Sequence, residues 1–200
     1  MTATAGSSYP AALTIDAPLE VARWRPLVAC LLAIPHLIVA YVLQSVGQVL
    51  AIIVWFSIMF TGKVPEGIVG VQCMCLRYTN RAATYAGFLY EPYPPFTFDT
   101  TTEDPGDLPS TRTDFRVQLE DRNRVTVFFR LLLVIPHMIA VTVLGLAAAV
   151  VYIVAFFAVL FTGAWPEGMR TFVVNVLRWH TRMQAYLQLL TDEYPPFELS

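Results

Sequence analysis

Two histidines occupy matching places in the sequence where a proton relay or a metal ligand could lie. His36 and His137 each follow an Ile-Pro pair at the start of a long apolar run. A histidine that enters a membrane can carry protons or bind a metal. The alternative is a structural role, in which the ring bonds a backbone carbonyl at the start of a helix or at the interface.

Two glutamates also occupy matching places. Glu66 and Glu167 each follow a proline that lies shortly after an apolar run. As intramembrane acids they would form a polar relay with the histidines, as in a carrier. In the alternative interpretation they stabilise the first turn of a helix, where a negative charge complements the helix dipole, and pair with nearby arginines.

Four arginines form two pairs with the spacing of one helical turn, Arg77 with Arg81 and Arg178 with Arg182. Guanidinium groups at the level of lipid headgroups bind phosphates through charge-assisted hydrogen bonds. These arginines are therefore a candidate lipid- or partner-binding site. The alternative is a solvated helix face whose side chains extend toward water.

The sequence contains no motif of a known catalytic or nucleotide-binding site, such as GxSxG, HExxH or a phosphate-binding loop. Cys30, Cys73 and Cys75 form neither a CxxC pair nor a cluster with histidine. This pattern is typical of small apolar residues. We therefore expect a protein without enzymatic activity, cofactor or metal.

The composition indicates a membrane protein. Apolar residues make up 56% of the chain and charged residues only 14%, against roughly 45–50% and about a quarter in soluble domains. The uncharged runs at 27–60 and 131–161 are each longer than the roughly 20 residues that cross a bilayer. A net charge of −2 argues against a nucleic-acid partner, because binding to phosphates needs a basic surface. We expect a multi-pass protein of the cell membrane.

The chain contains two copies of one unit. A shift of 101 positions aligns residues 23–99 with 124–200 without a gap and matches the segments IPH, TG, PEG and YPPF. The predicted organisation is an N-terminal extended segment at 1–22, membrane repeat 1 at 23–99, a polar linker with a short strand at 100–123 and membrane repeat 2 at 124–200.

Each copy begins with a short alternating stretch and continues with its apolar run. The alternation at 13–16 and at 115–120 is typical of β-strands. The apolar run predicts a long helix. Pro35 or Pro136 either kinks this helix or joins it to a shallow preceding helix, since proline lacks an N–H and clashes with the carbonyl four residues back.

A second helix follows in each copy. The Thr-Gly pair closes the long helix with a left-handed cap, and an amphipathic helix is predicted at 65–89 and at 166–190. Because arginines are costly at the bilayer centre, we expect this helix at the membrane interface. The predicted fold class is an all-α integral membrane protein with minor short β-strands, in two tandem repeats.

Two topologies compete for the apolar runs. If each run crosses once, the copies are inverted, as in many transporters, and the histidine of one copy lies level with the glutamate of the other. If each run is a helical hairpin with turns near 44–47 and Gly145, all polar segments share one face and the short strands form one sheet. Hairpin arms of about 14–17 residues are shorter than a span requires, which favours single crossings.

A family resemblance rests on IPHLIVAYVL and IPHMIAV, on the FTG…PEG segments, and on LRW…R…AY…LLTDEYPPF with its looser copy LRY…R…TY…LYEPYPPF. Together they resemble a bacterial family of small membrane proteins that carry a domain of unknown function, often in tandem copies. The resemblance covers nearly the whole chain outside the N-terminal segment and the linker. It implies a membrane location and a repeat architecture.

These observations lead to two hypotheses about function. The first is a non-enzymatic scaffold or accessory subunit whose interfacial amphipathic helices bind lipid headgroups, a larger membrane complex or a second copy of the chain. The second is a small transporter or channel built on inverted repeats. The surroundings of the histidines and glutamates discriminate between them, because a transport path needs these groups around a shared cavity.

Overall fold

A computed structural model describes residues 9–199. Residues 1–8, which belong to the predicted extended segment, and Ser200 lie outside the described residues. Within that range the protein is mostly helical, with a two-stranded sheet. The elements in chain order are β1 (Ala11–Ile15), α1 (Arg25–Leu32), α2 (Ile34–Thr61), α3 (Glu66–Ala86), β2 (Thr111–Phe115), α4 (Arg124–Phe128), α5 (Arg130–Thr162) and α6 (Glu167–Leu187).

Each apolar run forms one continuous helix. α2 has 28 residues and α5 has 33, which correspond to lengths of about 42 Å and about 50 Å. Gly47 and Gly145, where a hairpin would turn, lie inside these helices. The hairpin interpretation is therefore wrong.

A short helix precedes the long helix in both copies, and a proline lies at the join only in the first copy. α1 ends at Leu32 and α2 begins at Ile34, so Pro35 lies in the first turn of α2. This position suits proline, because its missing N–H would have no helical partner there. In the second copy the break lies at Phe129, and Pro136 lies inside α5.

Glycine closes both long helices in the left-handed conformation that the Thr-Gly pairs predict. Gly62 and Gly163 each have a φ of 79°, which glycine adopts without the steric cost of a Cβ. α3 and α6 begin one residue and end three residues inside their predicted ranges. Their ends precede Phe88 and Leu189, whose φ values of 46° and 64° turn the chain out of the helix.

The segments that precede the two copies contribute one strand each to a shared antiparallel sheet. β1 pairs with β2, with Leu13 opposite Thr113. The strand predicted at 13–16 overlaps β1, whereas the strand predicted at 115–120 is wrong, because β2 ends at Phe115. Thr113 is buried and hydrogen-bonded although it is polar. β2 therefore lacks the apolar alternation that marks a half-buried strand.

α3 and α6 form the centre of the molecule, which corrects their expected place at a membrane interface. Thirteen of the 21 residues of α3 and ten of the 21 residues of α6 are buried. α2 packs along α3 and α5 packs along α6, while β2 lies on α3 and β1 on α6. Polar side chains of the two central helices therefore face protein groups.

A pseudo-twofold axis relates the two copies. Asn80 and Thr181 hold equivalent positions, 101 residues apart, and they touch each other where α3 meets α6. Arg77 and Arg178 are also equivalent, and each donates to a backbone carbonyl of the central residue pair of the sheet. The repeats thus share one core and one sheet.

Candidate functional site

His36 lies in an aromatic cluster within the first repeat. The residue is 1% exposed, and its Nδ1 atom lies 2.8 Å from the hydroxyl of Tyr78 on α3. The ring stacks on Phe96 with 4.1 Å between the centroids. Tyr93 adds an edge contact at 4.8 Å. Three rings, one from α3 and two from the segment after it, therefore surround this histidine.

His137 has the same surroundings in the second repeat. Its Nδ1 atom accepts a hydrogen bond of 3.0 Å from Nε1 of Trp179, which replaces Tyr78 at the equivalent position. The ring stacks on Phe197 at 3.9 Å and contacts Tyr194 at 4.7 Å. Each histidine thus holds together the helices and the YPPF segment of its own repeat.

Glu66 and Glu167 do not lie in the histidine clusters. Glu66 and Glu167 are the first residues of α3 and α6 and are exposed. A carboxylate at this position complements the positive end of the helix dipole. The ion pairs of Arg81 and Arg182 are formed with other acids, so the expected pairing with these glutamates is replaced. The sequence-predicted relay is not assembled.

Arg77 and Arg81 are buried and hold the linker, which corrects both interpretations proposed for them. Each is 3% exposed. Arg81 Nη2 lies 3.2 Å from Asp104 and 2.6 Å from Asp107, and Arg77 Nη2 donates to the carbonyl of Thr101 at 2.8 Å. These guanidinium groups lie on neither a solvated nor a headgroup-facing surface.

The electrostatics of this linker cluster favour a charged carboxylate at Asp107. Burial alone would raise the pKa of Asp107, but hydrogen bonds from Arg81 and Thr97 and the charge of Arg81 hold it below the ordinary value of 3.8. The Asp104 side chain is fully buried beside Arg81. A buried charge of this kind persists only with a charged and hydrogen-bonded partner.

Arg178 and Arg182, which are equivalent to Arg77 and Arg81, also form hydrogen bonds with other segments of the chain. Arg178 Nε donates to the Leu13 carbonyl at 3.1 Å, and Arg182 Nη2 donates to the Glu198 carbonyl at 2.7 Å. Arg182 is 4% exposed. The second pair therefore ties β1 and the C-terminal segment to α6, as the first pair ties β2 and the linker to α3.

A second buried charge cluster was not predicted from the sequence. Arg122 and Arg130 lie 2.7 Å and 2.5 Å from Asp192, and Arg130 lies over the ring of Tyr186 at 4.0 Å. Burial raises the pKa of Asp192, but the amide of Asn123 and both arginines lower it to below its ordinary value. The only sequence signal was an arginine directly before an apolar run.

Two cysteines lie in the core beside α2. Cys73 and Cys75 are buried, and burial raises the pKa of their thiols to about 12 and about 11. Both thiols are therefore protonated and uncharged at neutral pH. This agrees with the interpretation of these cysteines as small apolar residues. No group of three or more His, Cys, Asp or Glu residues with metal-site geometry is found within residues 9–199.

The exposed surface of α2 and α5 is apolar. Both helices are long and apolar enough to cross a membrane by length and composition, and only 17% of the most apolar window of each is buried. A core helix of a soluble protein would be mostly buried. Exposed side chains on α2 include Leu37, Ile38, Val42, Val49, Ile52, Ile53, Phe56 and Phe60, and those on α5 include Leu132, Ile135, Ile139, Val143, Leu146, Val150, Ile153 and Phe161.

Comparison with known families agrees with this repeat architecture. The model of one family, described as a domain of unknown function (DUF4389), matches residues 24–97 and again residues 124–198. The chain belongs to the DUF4389 family. The resemblance drawn from the IPH, PEG and YPPF segments is thereby confirmed. Neither a curated protein nor a solved structure matches the chain.

The DUF4389 match leaves out the linker between the repeats. Asp104 and Asp107 lie in this segment, yet they are the partners of Arg81 in the first repeat. In the second DUF4389 repeat the equivalent arginine, Arg182, pairs with Glu198. The first repeat therefore depends on residues that lie outside its family match.

Proposed function

We propose that this tandem DUF4389 protein is a non-enzymatic membrane protein that lies in one leaflet of the cell membrane and acts as a scaffold or accessory subunit. The observation that carries the proposal is the division of its surface. Apolar side chains cover α2 and α5, whereas the sheet and the linker carry exposed polar groups.

The exposed apolar side chains support contact with lipid. Ile38, Ile52, Val143 and Ile153, which lie within these two helices, are each 59–62% exposed. Removing such surface from water is favourable by about 25 cal/mol per Å². Acyl chains provide that environment continuously along a helix, so membrane lipids are the primary partner in this proposal.

The position of the polar sheet favours helices that lie along the membrane plane. Tyr78 on α3 reaches His36 on α2, and the neighbouring Arg77 holds Thr113 of β2. Val54 and Ile58 near the other end of α2 belong to the same buried cluster as Ala11 and Phe115 of the sheet, so the sheet lies beside α2. With α2 upright, exposed Arg112 and the linker backbone would lie at hydrocarbon depth, where unsatisfied polar groups cost several kcal/mol each.

The offset between α2 and α5 favours the same orientation. Ile52 of α2 shares a cavity with Leu131 at the start of α5, and Ile153 of α5 shares a cavity with Cys30 of α1. The C-terminal part of each long helix thus extends past the start of the other. The length that the two offset helices span together exceeds the hydrocarbon thickness of about 30 Å. Helices that lie in the plane of a leaflet are not limited by this thickness.

The second candidate is the transporter or channel, with one crossing by each long helix. The opposite chain directions of α2 and α5 favour it, since Gly62 lies beside Arg124 and Gly163 beside Arg23. The separate histidine clusters and the exposed glutamates weigh against it. These four side chains do not surround a common path.

Membrane extraction and flotation test the proposal. We expect the full chain to float with membranes after an alkaline carbonate wash, and the double variant Ile52→Lys/Ile153→Lys to be released by the same wash. Arg112→Gln on the polar face is the matched control and should float like the wild type. Recovery of the wild type as a monodisperse protein without detergent would overturn the proposal.

A further inference from the structure

Two cavities open on the apolar surface, with volumes of about 530 Å³ and 520 Å³. Their walls are equivalent in the two repeats. Ile153 and Phe157 line the larger cavity, and Ile52 and Phe56, 101 positions earlier, line the smaller one. Both volumes lie in the range of small-molecule sites, roughly 300–1,000 Å³.

Among the differences between the two cavities, one places a polar side chain in only one of them. Gln188 lines the smaller cavity, here called the Gln188 cavity, and Gly87 holds the same place in the larger one, here called the Gly87 cavity. In the Gly87 cavity the hydroxyl of Tyr152 lies 2.6 Å from where a Cβ of Gly87 would be. A tyrosine thus occupies the space that the amide takes in the other repeat.

The amide of Gln188 has no partner of its own. The residue is 1% exposed, and neither Oε1 nor Nε2 forms a hydrogen bond with any of residues 9–199. Both atoms lie 3.2 Å from the place of a Cβ on Gly47, so the amide is held flat against α2. Buried polar groups are normally paired, so an amide that lacks both partners points to a missing ligand.

A second donor lines the same cavity. Arg130 is 1% exposed, and its Nη atoms bind Tyr186, Thr191 and Asp192. Its Nε–H has no partner among the described residues. The Gln188 cavity therefore offers two buried donors and one buried acceptor without partners, in walls that are otherwise apolar apart from the exposed Gln48.

We propose that the Gln188 cavity binds one long-chain fatty acid, with its carboxyl group on Gln188 and its chain along Ile52, Phe56 and Leu131. A neutral carboxyl carries a donor and an acceptor side by side, so its O–H donates to Oε1 while its carbonyl accepts from Nε2. Arg130 Nε is a further donor to the carbonyl. The neutral acid is favoured, because burial disfavours charge and the charge of Arg130 is already paired with Asp192.

The inference rests on the proposed function, since the acid reaches the cavity from the bilayer. An ester or an unsubstituted alkane cannot pair with both Oε1 and Nε2 of Gln188. A methyl ester keeps the carbonyl acceptor but loses the O–H, which leaves Oε1 of Gln188 unpaired. The site should therefore discriminate between an acid and its ester of equal chain length.

Binding of oleic acid and methyl oleate to the delipidated full chain in detergent micelles tests the inference. We expect saturable binding of one oleic acid and weaker binding of methyl oleate. Gln188→Leu should raise the Kd for oleic acid by about tenfold to a hundredfold, as expected for two lost hydrogen bonds. It should also abolish the preference for the acid.

Filling each cavity separately gives a matched control. Ile52→Trp narrows the Gln188 cavity and leaves its amide in place, and Ile153→Trp makes the same change at the equivalent position of the Gly87 cavity. We expect loss of binding only with Ile52→Trp. Equal loss with both variants, or equal affinity of the wild type for acid and ester, would overturn the inference.

The micelle assay separates this inference from the proposed function. Discrimination between acid and ester by a chain that fails to float with membranes would contradict only the membrane proposal. Flotation without that discrimination would contradict only the fatty-acid site.

Discussion

The hydroxyl of Thr181 donates to the side-chain oxygen of Asn80 at 3.3 Å, and these residues hold the same position in the two repeats. A residue that touches its own equivalent lies on the axis that relates the copies. Both residues are buried. The two DUF4389 repeats therefore meet in a shared polar contact at the centre of one core.

Removal of the Asn80 amide should destabilise the whole chain. Asn80 also donates to Thr113 of β2 at 3.3 Å, so Asn80→Ala leaves two buried threonines with fewer partners, at a cost of about 1–3 kcal/mol. Thr181→Ala should cost less, because Asn80 keeps its bond to Thr113. Denaturation in detergent, followed by circular dichroism, measures both. A larger loss for Thr181→Ala would contradict this order.

The buried arginine cluster should be far more sensitive to substitution than a surface ion pair. Arg81→Ala removes the charged partner of Asp107 and one of the two charged partners of the buried Asp104 carboxylate, which keeps only Arg77 at 3.5 Å. Removing one partner of a buried ion pair costs about 3–5 kcal/mol. Lys63→Ala removes an exposed pair with Glu120 at 2.7 Å and should change stability little. The same denaturation assay compares them. Similar stability of the two variants would show that Arg81 does not hold the linker.

Acid should loosen the linker through Asp107. Because its folded-state pKa is depressed, its contribution to stability is complete above the ordinary carboxyl pKa of 3.8 and is lost as the pH falls through the lower, folded-state value. Thermal melting between pH 7 and pH 3 measures the loss. Asp107→Asn should reduce the acid dependence, and an unchanged dependence would contradict this assignment.

Substitution of two glycines of α3 tests the contact between α3 and the linker. A Cβ on Gly70 would lie 2.3 Å from the carbonyl oxygen of Thr100, whereas a Cβ on Gly67 would have no neighbour within 4 Å. Gly70→Ala should therefore destabilise the protein by about 1–3 kcal/mol through overpacking. Gly67→Ala should be neutral or stabilising, because alanine favours a helix. Equal melting temperatures for the two variants would argue against this packing.

Much of the fold could be predicted from local signals. The left-handed caps at Gly62 and Gly163, the short helix before α2 and the positions of α3 and α6 all follow from proline and glycine chemistry. The caps and the positions of α3 and α6 recur in the second repeat with the same 101-residue offset. Local backbone preference therefore predicted where helices begin and end.

The surroundings of the polar residues could not be predicted in the same way. Arg81 and Arg178 look like members of a solvated face, because a helical pattern does not show which side meets another element. Their partners, Asp104, Asp107 and the Leu13 carbonyl, lie 23 or more residues away. Charged side chains can be central when distant segments supply their hydrogen bonds, and sequence spacing alone carries no signal of that pairing.

The sidedness of the helix starts tests the central claim most directly. Single cysteines at Glu66 and Glu167, with Arg112→Cys as the reference for the polar face, would be labelled with an impermeant maleimide in a background lacking Cys30, Cys73 and Cys75. A protein that lies in one leaflet predicts that all three sites label from the same side, in either intact cells or inverted vesicles. Labelling of Glu66→Cys and Glu167→Cys from opposite sides would contradict the account and establish two crossings by inverted repeats.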